Sequence, residues 1–183
     1  EHPPLDLSKA VLLPGGSGFG KTQFAKAHGD YPLVVRTLDR LKQMTPNTDL
    51  LVFDDMNFGP GTAAKPGLNL TPEQMIHLLD MEEPATIKLR YADAVIPKGM
   101  RRIFTTNLRI DGPALDRPCD ADSLPLHPFP YGANLEQQKA IDRRYTAVPY
   151  IEHPLYSKRK ALIKKMVQNV LQNVVKANSA ATE

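Results

Sequence analysis

The residues with the clearest chemical content lie near the start of the chain. Gly15-Gly16-Ser17-Gly18-Phe19-Gly20-Lys21-Thr22 matches G-x-x-x-x-G-K-[ST] at every fixed position. Such a segment is suited to phosphate. Glycines let backbone amides close on phosphate oxygens with no side chain in the way, and the helix that follows aims its positive end at the anion. Lys21 has the length and charge to reach β- and γ-phosphates, and the Thr22 hydroxyl is a ligand for Mg²⁺. ATP and Mg²⁺ are the expected ligands. The context fits as well, because an apolar strand precedes the segment and helix formers follow it.

Two further positions complete a phosphoryl-transfer set. Asp54-Asp55 follows the apolar run Leu50-Leu51-Val52-Phe53. A carboxylate there can hold Mg²⁺, and a second can polarise the attacking water. Asp54 is assigned to the metal and Asp55 to the water as general base, with Asp55 a second candidate for the metal. Asp pairs after strands are commonly turn caps, and it is the phosphate loop that gives this one weight. Asn107 ends the strand Ile103-Phe104-Thr105-Thr106, where a neutral amide can position water against the γ-phosphate. For all three segments to meet, their strands must lie side by side with their carboxyl ends on one edge of a sheet.

The elements needed to do this can be read from the pattern. Ala10–Leu13, Leu33–Val35, Leu50–Phe53, Ile103–Thr106 and Thr146–Tyr150 read as strands, and Lys21–His28, Leu38–Met44 and Asn134–Arg144 as helices. Thr71-Pro72-Glu73-Gln74 opens another helix with an N-cap, a proline at the first position and a capping-box glutamine. Its apolar side is Met75, Ile76, Leu78 and Leu79, and His77 there reads as structural. Residues 85–98 alternate like a hairpin turning at Ala92-Asp93. Residues 57–70 read as loop, and residues 110–134, with five prolines, exceed an ordinary connection. Ser157 to Asn178 carries a helical stripe (Leu162, Met166, Val170, Val174) behind a basic start, with a disordered tail from Ser179. Strands alternating with helices give an α/β class with a mostly parallel central sheet.

Composition narrows the partners. The 183 residues are 42% hydrophobic and 23% charged, as in a soluble globular domain. A net charge of +3 permits a nucleic-acid partner without requiring one. The single cysteine, Cys119, excludes a disulfide framework and a cysteine-only zinc site. No run of 18 apolar residues exists and the N-terminal residues are no signal peptide, so no membrane partner is expected. With its first motif so near the start, the chain reads as part of a longer protein.

Together, GGSGFGKT, LLVFDD and IFTTN, in that order within about a hundred residues, resemble motifs A, B and C of superfamily 3 helicases. The nearest likeness is to the helicase domain of replication-associated (Rep) proteins of small circular single-stranded DNA viruses and related plasmids. It covers roughly residues 8–150 and sets a domain division at 1–150 and 151–183. ATIKLRYADAVIPKGMRRIF resembles the segment between motifs B and C that projects into the ring channel, which implies that Lys88, Arg90, Tyr91 and Lys98 contact single-stranded DNA. IDRRY resembles the basic segment carrying the arginine finger, which implies that Arg143 or Arg144 acts on a neighbour's nucleotide. Arg143 is the closer match. Arg101, Arg102 and Arg109 are further candidates for a sensor or trans cation.

The resemblance further implies a P-loop NTPase (AAA+-like) three-layer fold, a hexameric ring in the full-length protein, ATP-driven 3′-to-5′ unwinding, and a location in the host nucleus if viral, otherwise the cytoplasm. The chain departs from the family in the 110–134 insertion and in showing no nicking domain upstream. Competing readings are an RNA-virus superfamily 3 ATPase, for which one cysteine cannot supply the usual zinc segment, and a nucleotide-binding assembly module without turnover. A phosphate-loop kinase is weaker, given the hairpin and the Asn-tipped strand.

Overall fold

A computed structural model describes residues 5–59, 67–89, 91–107, 128–130, 134–148 and 150. Most of the 110–134 segment, the 157–178 helix, the tail, Arg90, Arg109 and Cys119 lie outside these described residues.

Five of the described strands build one sheet: β1 (Ala10–Pro14), β2 (Pro32–Val35), β3 (Leu50–Asp54), β6 (Arg101–Thr106) and β7 (Tyr145–Ala147). Their spatial order is β2-β3-β6-β1-β7, and each neighbouring pair is parallel. Parallel strands with cover on both faces must be apolar on both, and β1 and β3 are near-continuous apolar runs for that reason. Alternation divides their side chains between two layers. Leu12, Leu51, Phe53 and Phe104 face α2 (Pro72–Leu79) and α3 (Leu135–Asp142). Val11, Leu13, Leu50, Val52 and Ile103 face Ala25 and Phe24 of α1 (Lys21–Lys26). The result is the expected three-layer α/β arrangement of P-loop NTPase type. β4 (Ala85–Ile87) and β5 (Ala94–Ile96) form a separate antiparallel hairpin between β3 and β6 in sequence. No helix among the described residues is long and apolar enough to cross a membrane.

Several boundaries differ from the sequence reading. The first helix ends at Lys26, because His28 and Gly29 donate to carbonyls three residues back and tighten the last turn. Leu38–Gln43 is a 3-10 helix, not an α-helix. β6 begins at Arg101, two positions early, because Arg101 and Arg102 pair with Leu50 and Leu51. The last strand ends at Ala147, although the Val148 and Tyr150 amides still donate to Leu12 and Pro14 carbonyls at 2.8 Å. The capping box is present as read: the Thr71 hydroxyl accepts from the Gln74 amide, and the Gln74 side chain accepts from the Thr71 amide.

The aromatic core has a contribution that the pattern did not disclose. Phe53 stacks on Phe104 with centroids 4.6 Å apart, and Phe129 meets Phe104 edge-on at 5.2 Å. The end of the proline-rich segment therefore returns to the core, where the Phe58 amide donates to the Pro128 carbonyl.

Arg102 is the largest fully buried side chain among the described residues. Its Nη1 donates to the carbonyls of Leu78 and Asp80 at 2.5 and 2.6 Å, closing the C-terminus of α2. Burial pushes its guanidinium down to about 10, opposed by the nearby Asp80 carboxylate. A wholly buried group cannot reach a neighbouring subunit, so Arg102 is removed from the sensor or trans-cation candidates. Arg101, bonded to the His28 carbonyl and to Asp49, likewise holds the amino edge of the sheet together. Replacing Arg102 by Ala opens a cavity and orphans carbonyls, at a cost of about 3 kcal/mol. Arg102→Met fills the space and recovers about half of that in a denaturant titration. Equal losses for the two variants would place the whole effect in the guanidinium bonds.

Candidate nucleotide and metal site

The sheet order puts β6 between β3 and β1, so the carboxyl ends of all three strands share one edge. The Gly15–Gly20 loop leaves β1 there. Gly18 and Gly20 have φ of 76° and 91°, a left-handed backbone that side chains disfavour. A Cβ on Gly15 would lie 2.6 Å from the Tyr150 carbonyl oxygen, so the loop's first residue must be glycine for simple want of space. α1 has only six residues, and the capacity to hold an anion rests with the loop more than with a helix dipole.

Two hydrogen-bonded groups tie the strand ends together. Lys21 Nζ donates to the carbonyls of Gly15 and Gly16 at 2.9 and 2.8 Å and to Asn107 Oδ1 at 2.8 Å. Its three donors are thereby engaged, one of them across the sheet edge. Thr22 Oγ1 donates to Asp54 Oδ1 at 2.5 Å, and Thr105 Oγ1 donates to the same oxygen at 3.0 Å. Asp55 sits at φ 52°, a left-handed conformation that Asp tolerates better than most residues. Its amide is held by Thr105, and its Oδ1 lies 3.4 Å from the Asn107 amide.

The electrostatics follow from this packing. Burial pushes the Lys21 ammonium below the usual lysine range, with Asp55 and Asp54 opposing. For Asp54, burial acts to raise the carboxyl. Hydrogen bonds from Thr22, Arg36 and Thr105 outweigh it and hold the group below the ordinary carboxylate range. Asp54 is thus an anion ready for a cation.

These groups line a cavity of about 370 Å³. Ser17, Gly18, Gly20, Lys21, Thr22, Asp54, Asp55 and Asn107 from the sequence reading border it, joined by Gln23, Arg36 and Thr105. Gly15 and Gly16 reach the site through their carbonyls to Lys21. A Cβ on Gly16 would meet the Phe19 ring at 2.7 Å, so that ring lies across the loop. The Thr22 hydroxyl and the Asp54 carboxylate are adjacent hard oxygen donors, which fits Mg²⁺. Among the described residues no three His, Cys, Asp or Glu side chains gather into a metal cage. Two donors suit an ion that brings its own waters and phosphates.

Arg143 and Arg144 do not join this cavity. They end α3 and immediately precede β7, whose Tyr145 pairs with Ala10 at the start of β1. That is the opposite edge of the sheet, at least roughly 13 Å away by strand length. Arg143 is exposed, whereas Arg144 is bound to Asp80 at 3.0 Å and to the Ala140 carbonyl at 2.8 Å.

The hairpin spreads its candidates apart. Lys88 and the exposed Tyr91 lie toward its tip, while Lys98 lies beyond β5 at its base, next to Gly99, whose amide donates to Met81. Lys42 of the 3-10 helix stands 5.5 Å from the centre of the Tyr91 ring, a cation that sequence reading missed. Arg36 and Thr105 were missed as well. The available signal was position, since Arg36 directly follows a strand that ends on the same sheet edge.

No family model matches the chain, and no curated protein matches it either. Among solved structures, a crystal structure of JCV helicase with a bound thiazolopyridine acetamide has 14% identity and a TM-score of 0.45, over 88% of this chain and 40% of that one. An X-ray structure of JCV helicase has 16% identity and a TM-score of 0.42, over 87% and 40%. The chain spans about two fifths of the length of those structures.

Proposed function

We propose that the chain is an ATP-hydrolysing motor domain of the superfamily 3 helicase type, of the Rep kind, working on single-stranded DNA as a ring of subunits. The observation that carries the reading is the double tie between strand ends, Lys21 to Asn107 and Thr22 to Asp54. It gathers a phosphate cation, a pair of metal ligands and a water-orienting amide around one cavity. The resemblance in motif order adds DNA, the ring and the Rep assignment.

The roles follow from chemistry. Loop amides and Lys21 bind the β- and γ-phosphates, and Lys21 carries the counter-charge that growing negative charge on the transferred group needs. Thr22 and Asp54, with Asp55 beside them, would hold Mg²⁺, which would supply positive charge against the β- and γ-phosphates. Asp55 takes the proton of the attacking water, and Asn107 orients that water. Arg143 of an adjacent copy supplies a second cation. In the hairpin, Lys88, Lys98 and Arg90 neutralise DNA phosphates while Tyr91 stacks on a base.

Steady-state ATPase with and without single-stranded DNA tests this reading, and turnover is expected to rise when DNA is added. Lys88→Ala with Lys98→Ala should weaken DNA binding and flatten its salt dependence by about 1.4 units of log–log slope, leaving basal turnover intact. Turnover indifferent to DNA favours a nucleotide-binding assembly module, and an unchanged slope returns the hairpin lysines to a solvated face.

A further inference from the structure

One charged group in the cavity has no part in the roles above. Arg36 directly follows β2 (Pro32–Val35), and its Nε lies 2.9 Å from Asp54 Oδ2. The two oxygens of Asp54 are thereby divided: Oδ1 accepts from Thr22 and Thr105, and Oδ2 is held by Arg36. The Arg36 side chain is 74% exposed and that of Asp54 12%, so a mobile cation covers a fixed anion from the solvent side.

A divalent ion on the Thr22 hydroxyl needs Asp54 too. Thr22 can offer the ion a lone pair while its proton stays on Oδ1. Oδ2 is then the acceptor left for a water of the ion's shell, and it is the oxygen that Arg36 occupies. The ion's water and the Arg36 Nε compete for that oxygen while the two positive charges repel each other, so each weakens the other's hold. Arg36 is the one built to move, with its long stem in solvent.

From this arrangement we infer that Arg36 is an exchangeable counter-ion of Asp54 that competes with Mg²⁺ for it. The inference rests on the phosphate-loop reading of the cavity and adds a residue that sets how much metal the site requires. An arginine here holds Asp54 in place without the metal, and it raises the metal concentration needed for nucleotide to bind in its metal-dependent mode. Because its Arg36 side is largely exposed, the pair holds only weakly. The effect is accordingly a shift in metal requirement, not its removal.

The test is equilibrium binding of a fluorescent ADP analogue to the full chain at rising Mg²⁺, together with direct Mn²⁺ binding followed by electron paramagnetic resonance. Arg36→Gln is expected to lower the half-saturating Mg²⁺ concentration about two- to five-fold and to tighten Mn²⁺ binding similarly, as loss of a partly exposed ion pair allows. Arg36→Lys, which keeps the charge on a more hydrated head, should fall between wild type and Arg36→Gln. Since Arg36 is exposed, neither variant threatens the fold, and a thermal melt confirms that. An unchanged or higher metal requirement in Arg36→Gln overturns the inference while leaving the cavity's reading in place. Should wild-type protein bind neither the ADP analogue nor Mn²⁺, the phosphate-loop reading itself fails and the counter-ion role goes with it.

Discussion

Arg143→Ala is expected to leave nucleotide affinity intact while turnover falls about 10³-fold or more, the scale at which supplied arginines act in phosphoryl transfer. The argument is one of place. Arg143 is exposed and stands at the amino edge of the sheet, whereas the cavity occupies the carboxyl edge. Within one copy of the chain the residue lies at the edge away from the cavity, so under the proposed ring its direct effect on chemistry comes from a neighbouring copy. That gives a sharper measurement than the single variant. Mixing Arg143→Ala with Lys21→Ala should restore turnover, because the second variant still presents Arg143 to the intact cavity of the first. Two inactive proteins that stay inactive when mixed would remove the trans role. Arg144→Ala serves as a contrast: its bond to Asp80 joins α3 to the end of α2, and its loss should appear in stability more than in turnover.

Why some of this was legible in the sequence and some was not has a physical answer. The Gly15–Thr22 loop was legible because phosphate binding, the role proposed for it, needs residue types at fixed spacing, and the glycines at positions 15, 18 and 20 are each forced by space or by backbone sign. The sheet was legible because parallel strands buried on both faces leave continuous apolar runs. The meeting of Thr22, Asp54 and Asn107 could be foreseen only on the condition that three strands lie side by side, and the order β3-β6-β1 meets it. Arg36 and Thr105 were hidden because their importance depends on which strand neighbours β3, a fact with no local signature. Arg102 was misjudged for the converse reason. Its neighbour Arg101 turns toward Asp49, and strand alternation sends Arg102 inward beneath α2, where its charge is spent on backbone carbonyls. Charge in a sequence suggests a surface, and only the register of β6 against β3 shows otherwise. The turn at Leu38–Gln43 shows a further limit. An i→i+3 and an i→i+4 helix of six residues place their apolar positions almost alike.

The strongest demand on the site falls on Lys21. Lys21→Ala should reduce turnover about 10²- to 10³-fold, the usual loss when one preorganised group is taken from developing negative charge. Nucleotide affinity should fall as well, because the lysine serves bound phosphate as well as the transition state. Its present partners explain why no neighbour substitutes for it. Lys21 is only 7% exposed and its ammonium bridges the Gly15 and Gly16 carbonyls to Asn107, so it organises the loop and the Asn107 side chain at once. Lys21→Arg should therefore fail nearly as badly, since a planar fork cannot meet three acceptors arranged around one nitrogen. The pH profile offers an independent check. Burial lowers the lysine's affinity for its proton, and a cation lost as pH rises through that lowered value is lost to the chemistry. Turnover should accordingly decline on the alkaline side earlier than an ordinary lysine would allow, and the residual activity of Lys21→Ala should lack that limb. Normal turnover in Lys21→Ala, measured with binding confirmed, would mean that the loop is not where the γ-phosphate reacts.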